Sequence, residues 1–220
     1  IHKTEELIRY FEELSSSPKA QLSNLPFLLL TGSAGTGKTH LLCDVVEQRI
    51  NNNLPAFLVF GEYFSAENNF WTKVLEQLKI ENTIKTKNSF LKKLDDLGKK
   101  AKCRTLFIID ALNENINRAP NFWKDSLDSI IQDFKKYPNI ALIISVRNGF
   151  EKEVLTEKQK ILFIHEEHQG FRFKEWEAVN RFFKAFSLPL PEIPLLMPEF
   201  QNPLFLLLFC KAFQKGISLL

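Results

Sequence analysis

The sequence predicts an α/β fold: a mostly parallel five-stranded sheet between two layers of helices, followed by a small helical segment. Two patterns carry that expectation. Short apolar runs of strand length alternate with longer segments whose apolar residues recur at helical spacing, the pattern of a parallel sheet covered on both faces. From Phe173 onward the strand-like runs stop and only helical spacing remains.

The elements follow in order. Leu7, Ile8, Phe11 and Leu14 form one stripe, so an amphipathic helix is expected over 3–14, ended by Ser15-Ser16-Ser17-Pro18. The first strand is expected at 27–30. A glycine-rich stretch separates it from a helix over 41–50, closed by Asn51-Asn52-Asn53. The second strand, 56–60, leads into Gly61-Glu62-Tyr63-Phe64, at the strand end where parallel sheets carry ligand-facing loops. Helices are expected over 70–78 and 89–101. Lys92, Lys93, Lys99, Lys100 and Lys102 on the second suggest either a nucleic-acid patch or a solvated face, and interleaved Asp95 and Asp96 favour the solvated face. Strands at 106–110, 140–147 and 161–164 complete the sheet, with a helix over 122–137 between the first two. A helix over 173–186 and another over 203–214 follow, separated by a loop punctuated by Pro189, Pro191, Pro194 and Pro198. The division expected is 1–170 for the sheet domain with its N-terminal helix, and 171–220 for the start of a helical lid.

Composition sets bounds. A chain of 220 residues suffices for one well-buried α/β domain with a helical appendage. Hydrophobic content of 45% and charged content of 25% are ordinary for a soluble globule, and the 21 phenylalanines read as packing. A net charge of +3 is too slight to indicate nucleic-acid or membrane binding. Cys43, Cys103 and Cys210 lie far apart without a C-x-x-C, which excludes an obvious zinc or redox motif and fits a reducing, cytoplasmic setting. The longest apolar run, 204–210, is too short for a bilayer, and no secretory signal is visible. A start at Ile1 and a stop at Leu220 just after a helical run read as a piece of a longer protein.

The glycine-rich stretch is Gly32-Ser33-Ala34-Gly35-Thr36-Gly37-Lys38-Thr39, which spells G-x-x-x-x-G-K-[ST] between a strand and a helix. Its glycines allow positive φ and close backbone approach. Successive N–H groups there, with those of the helix start, form an anion-binding nest. Lys38 supplies a charge for terminal phosphates and Thr39 a hydroxyl for Mg²⁺; His40 follows in the same turn. Nucleotide binding is therefore expected, and with it a P-loop NTPase fold. Asp110, ending an apolar strand, either holds Mg²⁺ or caps the strand end. Glu114 is a candidate to polarise an attacking water, against a solvated loop residue. Arg147, ending the fourth strand, is a candidate to meet the γ-phosphate, against a surface arginine; Arg118 is a weaker one. The extra strand between Lys38 and Asp110 favours the P-loop division that carries a glutamate base (ASCE). No Asn-Lys-x-Asp guanine signature occurs, so ATP or ADP is the expected ligand. His165-Glu166-Glu167-His168 is not H-E-x-x-H and reads as a bland polar loop.

These residues resemble the signal-transducing NTPases with numerous domains (STAND), in their NACHT-like branch of prokaryotic antiviral sensors of the Avs type. The phosphate loop, Asp110-Ala111-Leu112-Asn113-Glu114, Ser145-Val146-Arg147, Gly170-Phe171 and Gln201-Asn202-Pro203-Leu204-Phe205-Leu206 carry the likeness, over about residues 25–215. The resemblance implies a nucleotide-dependent oligomerisation switch, with Arg147 as sensor arginine and Pro203 at the adenine. Asn113 stands where that group has an acid, which removes one negative charge near Mg²⁺ and implies slow hydrolysis; Gln201 stands in place of a glycine. The partners implied are nucleotide, further copies of the full-length protein, and effector and target-sensing domains of the same longer chain, with no membrane and no direct nucleic-acid binding. The competing expectations are an AAA+ ATPase acting on DNA and a non-hydrolysing nucleotide-binding scaffold.

Overall fold

The computed structural model describes residues 17–65, 69–190 and 197–214. The helix expected over 3–14 lies outside them, as do Pro191 and Pro194. Pro18 does not end structure but begins it. Ser17 accepts from the Ala20 amide at 3.3 Å, and proline fills the first turn of α1 (Pro18–Asn24), where its missing N–H costs nothing.

Five strands, β1 (Phe27–Thr31), β2 (Ala56–Phe60), β3 (Thr105–Asp110), β4 (Ile140–Ser145) and β5 (Ile164–Glu167), form one sheet in the order β2-β3-β4-β1-β5. Every pairing is parallel. The sequence places β2 between the two candidate phosphate motifs, but in space it is β4 that separates β1 from β3, and β2 takes the edge. Crossover helices set this order. α2 (Lys38–Asn51) covers one face, with Leu42 packed on Leu30 and Ile108. α3 (Phe70–Gln77), α4 (Lys87–Ala101) and α5 (Phe122–Lys135) cover the other, burying Trp71, Phe90 and Trp123 in the same core as Phe107, Ile109 and Ile144. Period-two alternation along β3 thus feeds two cores at once.

The fifth strand differs from its prediction. The apolar run 161–163 is a turn after the short helices α6 (Glu151–Val154) and α7 (Glu157–Lys160), with Ile161 exposed and Phe163 buried against Phe27. The strand itself is Ile-His-Glu-Glu, registered Leu28 to Ile164 through Thr31 to Glu167. An edge strand needs no apolar alternation when its side chains face water, so its polarity hid it. The segment expected as a polar loop at 165–167 is therefore sheet.

The lysines of α4 at 92, 93, 99 and 100, and Lys102 after it, are exposed, and Asp95 is bonded to the Asn139 amide at 2.9 Å. That matches a solvated helix face. After the sheet come α8 (Glu175–Ala185) and α9 (Pro203–Gln214), which share a separate buried cluster of Ala178, Val179, Phe183, Phe200, Leu206 and Cys210.

Candidate functional site

Because β4 lies between β1 and β3, the ends of all three strands open onto one crevice. Thr39, in the first turn of α2, donates from Oγ1 to Asp110 Oδ2 at 2.7 Å. Ser145 Oγ, closing β4, donates to Asp110 Oδ1 and accepts from the Ala111 amide at 2.8 Å. Asp110 is only 1% exposed, so both carboxylate oxygens are held by hydroxyls where water does not reach. A hydroxyl beside a carboxylate is a hard-oxygen donor pair that fits Mg²⁺, an ion that takes few protein ligands and completes its shell with water and phosphates. Among the described residues no group of three His, Cys, Asp or Glu forms a protein-only cage.

Lys38 Nζ donates to the carbonyls of Gly32 at 2.6 Å and Ser33 at 3.1 Å. Burial lowers its pKa most; the charge of Arg147 lowers it further, and Asp110 and Glu114 oppose. The ammonium is thus partly desolvated and held in place by two carbonyl oxygens. Ala111, at φ +57°, turns the chain out of β3 into the 3₁₀ turn Leu112–Asn115. That turn carries Asn113, whose Oδ1 accepts from the Arg147 amide at 2.9 Å, and exposed Glu114. The Asn113 side chain therefore holds the backbone of Arg147 in place.

A cavity of about 1250 Å³ joins these groups. Ala34, Gly35, Thr36, Gly37, Lys38, Thr39, His40, Asp110, Glu114 and Arg147 line it together with Pro203, Phe171, Phe182 and Leu207. Gly32 and Ser33 do not line it; they serve through the carbonyls that hold Lys38. Arg118 is exposed and outside it. Gly32, at φ +159°, is extended rather than left-handed; glycine is required there because a Cβ would lie 2.6 Å from the His168 carbonyl oxygen.

Three residues were missed from sequence. Ser145 enters the sequence pattern only within Ser145-Val146-Arg147, although a hydroxyl ending an apolar strand is a usable signal. His168, expected in a bland polar loop, lines the cavity with residues 34–40; burial depresses its pKa, a backbone bond to Thr36 opposes, and the Lys38 charge depresses it further. Asn202 bonds the Ala34 carbonyl at 2.9 Å across 168 residues of sequence, which no local pattern reveals.

No family model matches the sequence, and no curated protein does either. Solved structures do resemble the fold. A replication initiator DnaA bound to AMPPCP and single-stranded DNA matches at 18% identity and TM-score 0.56, over 92% of this chain and 59% of that one. A Walker-type ATPase of Pyrococcus abyssi matches at 19% and 0.59, over 93% and 67%. Cdc6p from Pyrobaculum aerophilum matches at 16% and 0.51, over 94% and 62%. The fold is that of the P-loop ATPases. The chain spans about three fifths of the DnaA chain it matches.

Proposed function

We propose that this chain binds ATP with Mg²⁺ and hydrolyses it slowly, as the nucleotide-dependent switch module of a larger STAND-type antiviral defence protein that oligomerises in its ATP state. The observation that carries the nucleotide reading is the hydrogen-bonded Thr39–Asp110 pair lining a cavity that Lys38 also lines. Phosphate-loop amides 35–40 would cradle the phosphates, and Lys38 would meet their charge. Thr39 and Asp110 would hold Mg²⁺, which neutralises charge on the phosphate oxygens when bound. Glu114 would polarise the attacking water and Arg147 would respond to the terminal phosphate. The wall of Pro203, Phe171 and Phe182 suits a purine.

The division into a sheet domain over 1–170 and a helical lid from 171 is part of this reading, supported by the separate cluster around Val179 and Phe183. So are the cytoplasmic setting and the effector and sensing domains of a longer chain. Among the described residues no helix is long and apolar enough to cross a membrane. The DNA-acting alternative draws on the DnaA neighbour, which is bound to single-stranded DNA. It requires turnover that single-stranded DNA accelerates, whereas the switch reading requires turnover indifferent to it.

The test is Lys38→Ala in calorimetry with Mg²⁺ and ATP. Loss of a charge partner at a part-buried site weakens binding by about 30-fold or more. Unchanged affinity would remove the phosphate loop from nucleotide binding.

A further inference from the structure

We propose that Asn202 is the positioning residue through which the helical segment reads the state of the phosphate loop; this rests on the nucleotide reading above. One side chain is used at both ends. Its Oδ1 accepts from the amides of Leu204 at 3.0 Å and Phe205 at 3.2 Å, closing the first turn of α9. Its Nδ2 donates to the Ala34 carbonyl at 2.9 Å, and the Leu204 amide also reaches the Gly35 carbonyl at 3.2 Å. The cap of α9 is thus built onto the outside of the phosphate loop.

This contact has a consequence for the anion seat. In a trans peptide the carbonyl and the following N–H point in opposite directions. Holding the carbonyls of Ala34 and Gly35 toward α9 turns the N–H groups of Gly35 and Thr36 away from it. The Thr36 amide makes only a long 3.5 Å contact to Ser33. Any rotation of these two peptides to meet a phosphate therefore moves the carbonyls that Asn202 and Leu204 hold. Gly35 is what permits the approach. It sits at φ +75°, and a Cβ there would lie 2.8 Å from Asn202 Oδ1 and 2.9 Å from Leu204 Cβ.

Asn202 is also coupled backward. Its neighbour Gln201 accepts at its carbonyl from the Phe171 amide at 2.8 Å and donates from Nε2 to Glu175 at 2.7 Å, at the start of α8. A shift of the 201–204 segment is transmitted to both helices. The two sites coupled are the anion nest and the packed α8–α9 pair, and the ligand acts only through its unequal affinity for their two arrangements.

Asn202→Asp separates this role from helix capping. Aspartate still accepts from the amides of 204 and 205, but its carboxylate cannot donate to the Ala34 carbonyl. Asn202→Ser keeps an acceptor without the added charge and is too short to bridge. Hydrogen exchange across 203–214 is measured with Mg²⁺ and saturating AMPPCP and without, beside calorimetry with the same ligand. In the native chain AMPPCP is expected to slow exchange at least fivefold in the first turns of α9. In both variants unliganded α9 is expected to exchange within about twofold of native, with the AMPPCP response reduced to twofold or less. A full response in both variants, or a native chain that binds AMPPCP with no change over 203–214, overturns the role given to Asn202. A native chain that binds no AMPPCP overturns the nucleotide reading itself.

Discussion

At the scale of single residues, Glu114 and Asp110 are carboxylates four positions apart with opposite surroundings. Asp110 is sealed, with each oxygen committed to a hydroxyl. Glu114 is exposed on the wall of the cavity, free of such commitment to a hydroxyl among the described residues. The αL turn at Ala111 produces the difference, because it ends the strand and swings the next residues outward. Glu114→Gln keeps size and removes the base, so ATP affinity is expected to stay within about threefold while turnover falls about 100-fold or more. Single-turnover assays with labelled ATP measure both; undiminished hydrolysis would clear Glu114 of the base role. That Lys38, Thr39 and Asp110 come together was legible in the sequence because each is fixed by local spacing against a strand or helix end. Ser145, His168 and Asn202 were not, since their roles depend on which strand lies beside which and on how α9 returns.

At the scale of elements, the long helices were readable, whereas the short α1, α6 and α7 were not, and the joins between helices were less legible still. α3, α4 and α5 announced themselves by buried stripes, but the polar side of the packing between them was hidden. Asp133 on α5 is buried, yet it receives Trp71 Nε1 at 3.0 Å from α3 and Lys87 Nζ at 2.8 Å from the start of α4. Three elements meet on one carboxylate. Burial opposes its charge, but the hydrogen bonds from Lys87 and Trp71, with the charges of Lys87 and Lys136, outweigh it and hold the carboxyl below the ordinary range. A folded pKa below the unfolded value of about 3.9 gives stability that is present above that pH and is lost as pH falls through the folded value. Asp133→Asn is therefore expected to cost about 1–2 kcal/mol at pH 7, moderated by the partial exposure of Lys87. Urea melts at pH 7 and pH 3 check it: the gap from native should narrow at the lower pH. A gap that is the same at both would mean the lost contact is steric rather than ionic. The edge strand β5 failed as a sequence pattern for the complementary reason, since exposure leaves composition unconstrained.

At the scale of the whole molecule, the described residues hold a sheet packed with apolar side chains on both faces and a separate helical core. The larger cluster joins β1, β2, β3 and β4 to α3, α4 and α5 and buries Trp71 and Trp123; the smaller core is the cluster of α8 and α9, and Trp176 is also on α8. A small apolar cluster retains little free energy after the ordering of its backbone is subtracted. The smaller core is tied to the larger by polar bonds such as those of Asn202, so α8 and α9 are expected to unfold at lower urea than the sheet. In Trp176→Phe, fluorescence reports the sheet core through Trp71 and Trp123, while far-ultraviolet circular dichroism also counts α8 and α9. Without nucleotide the dichroism transition should begin earlier and end with the fluorescence one. With Mg²⁺ and AMPPCP added, the early part should move toward the later one. Coincident transitions in both conditions would show that the two cores already form one cooperative unit, and a nucleotide switch would then have to work without loosening the helical segment.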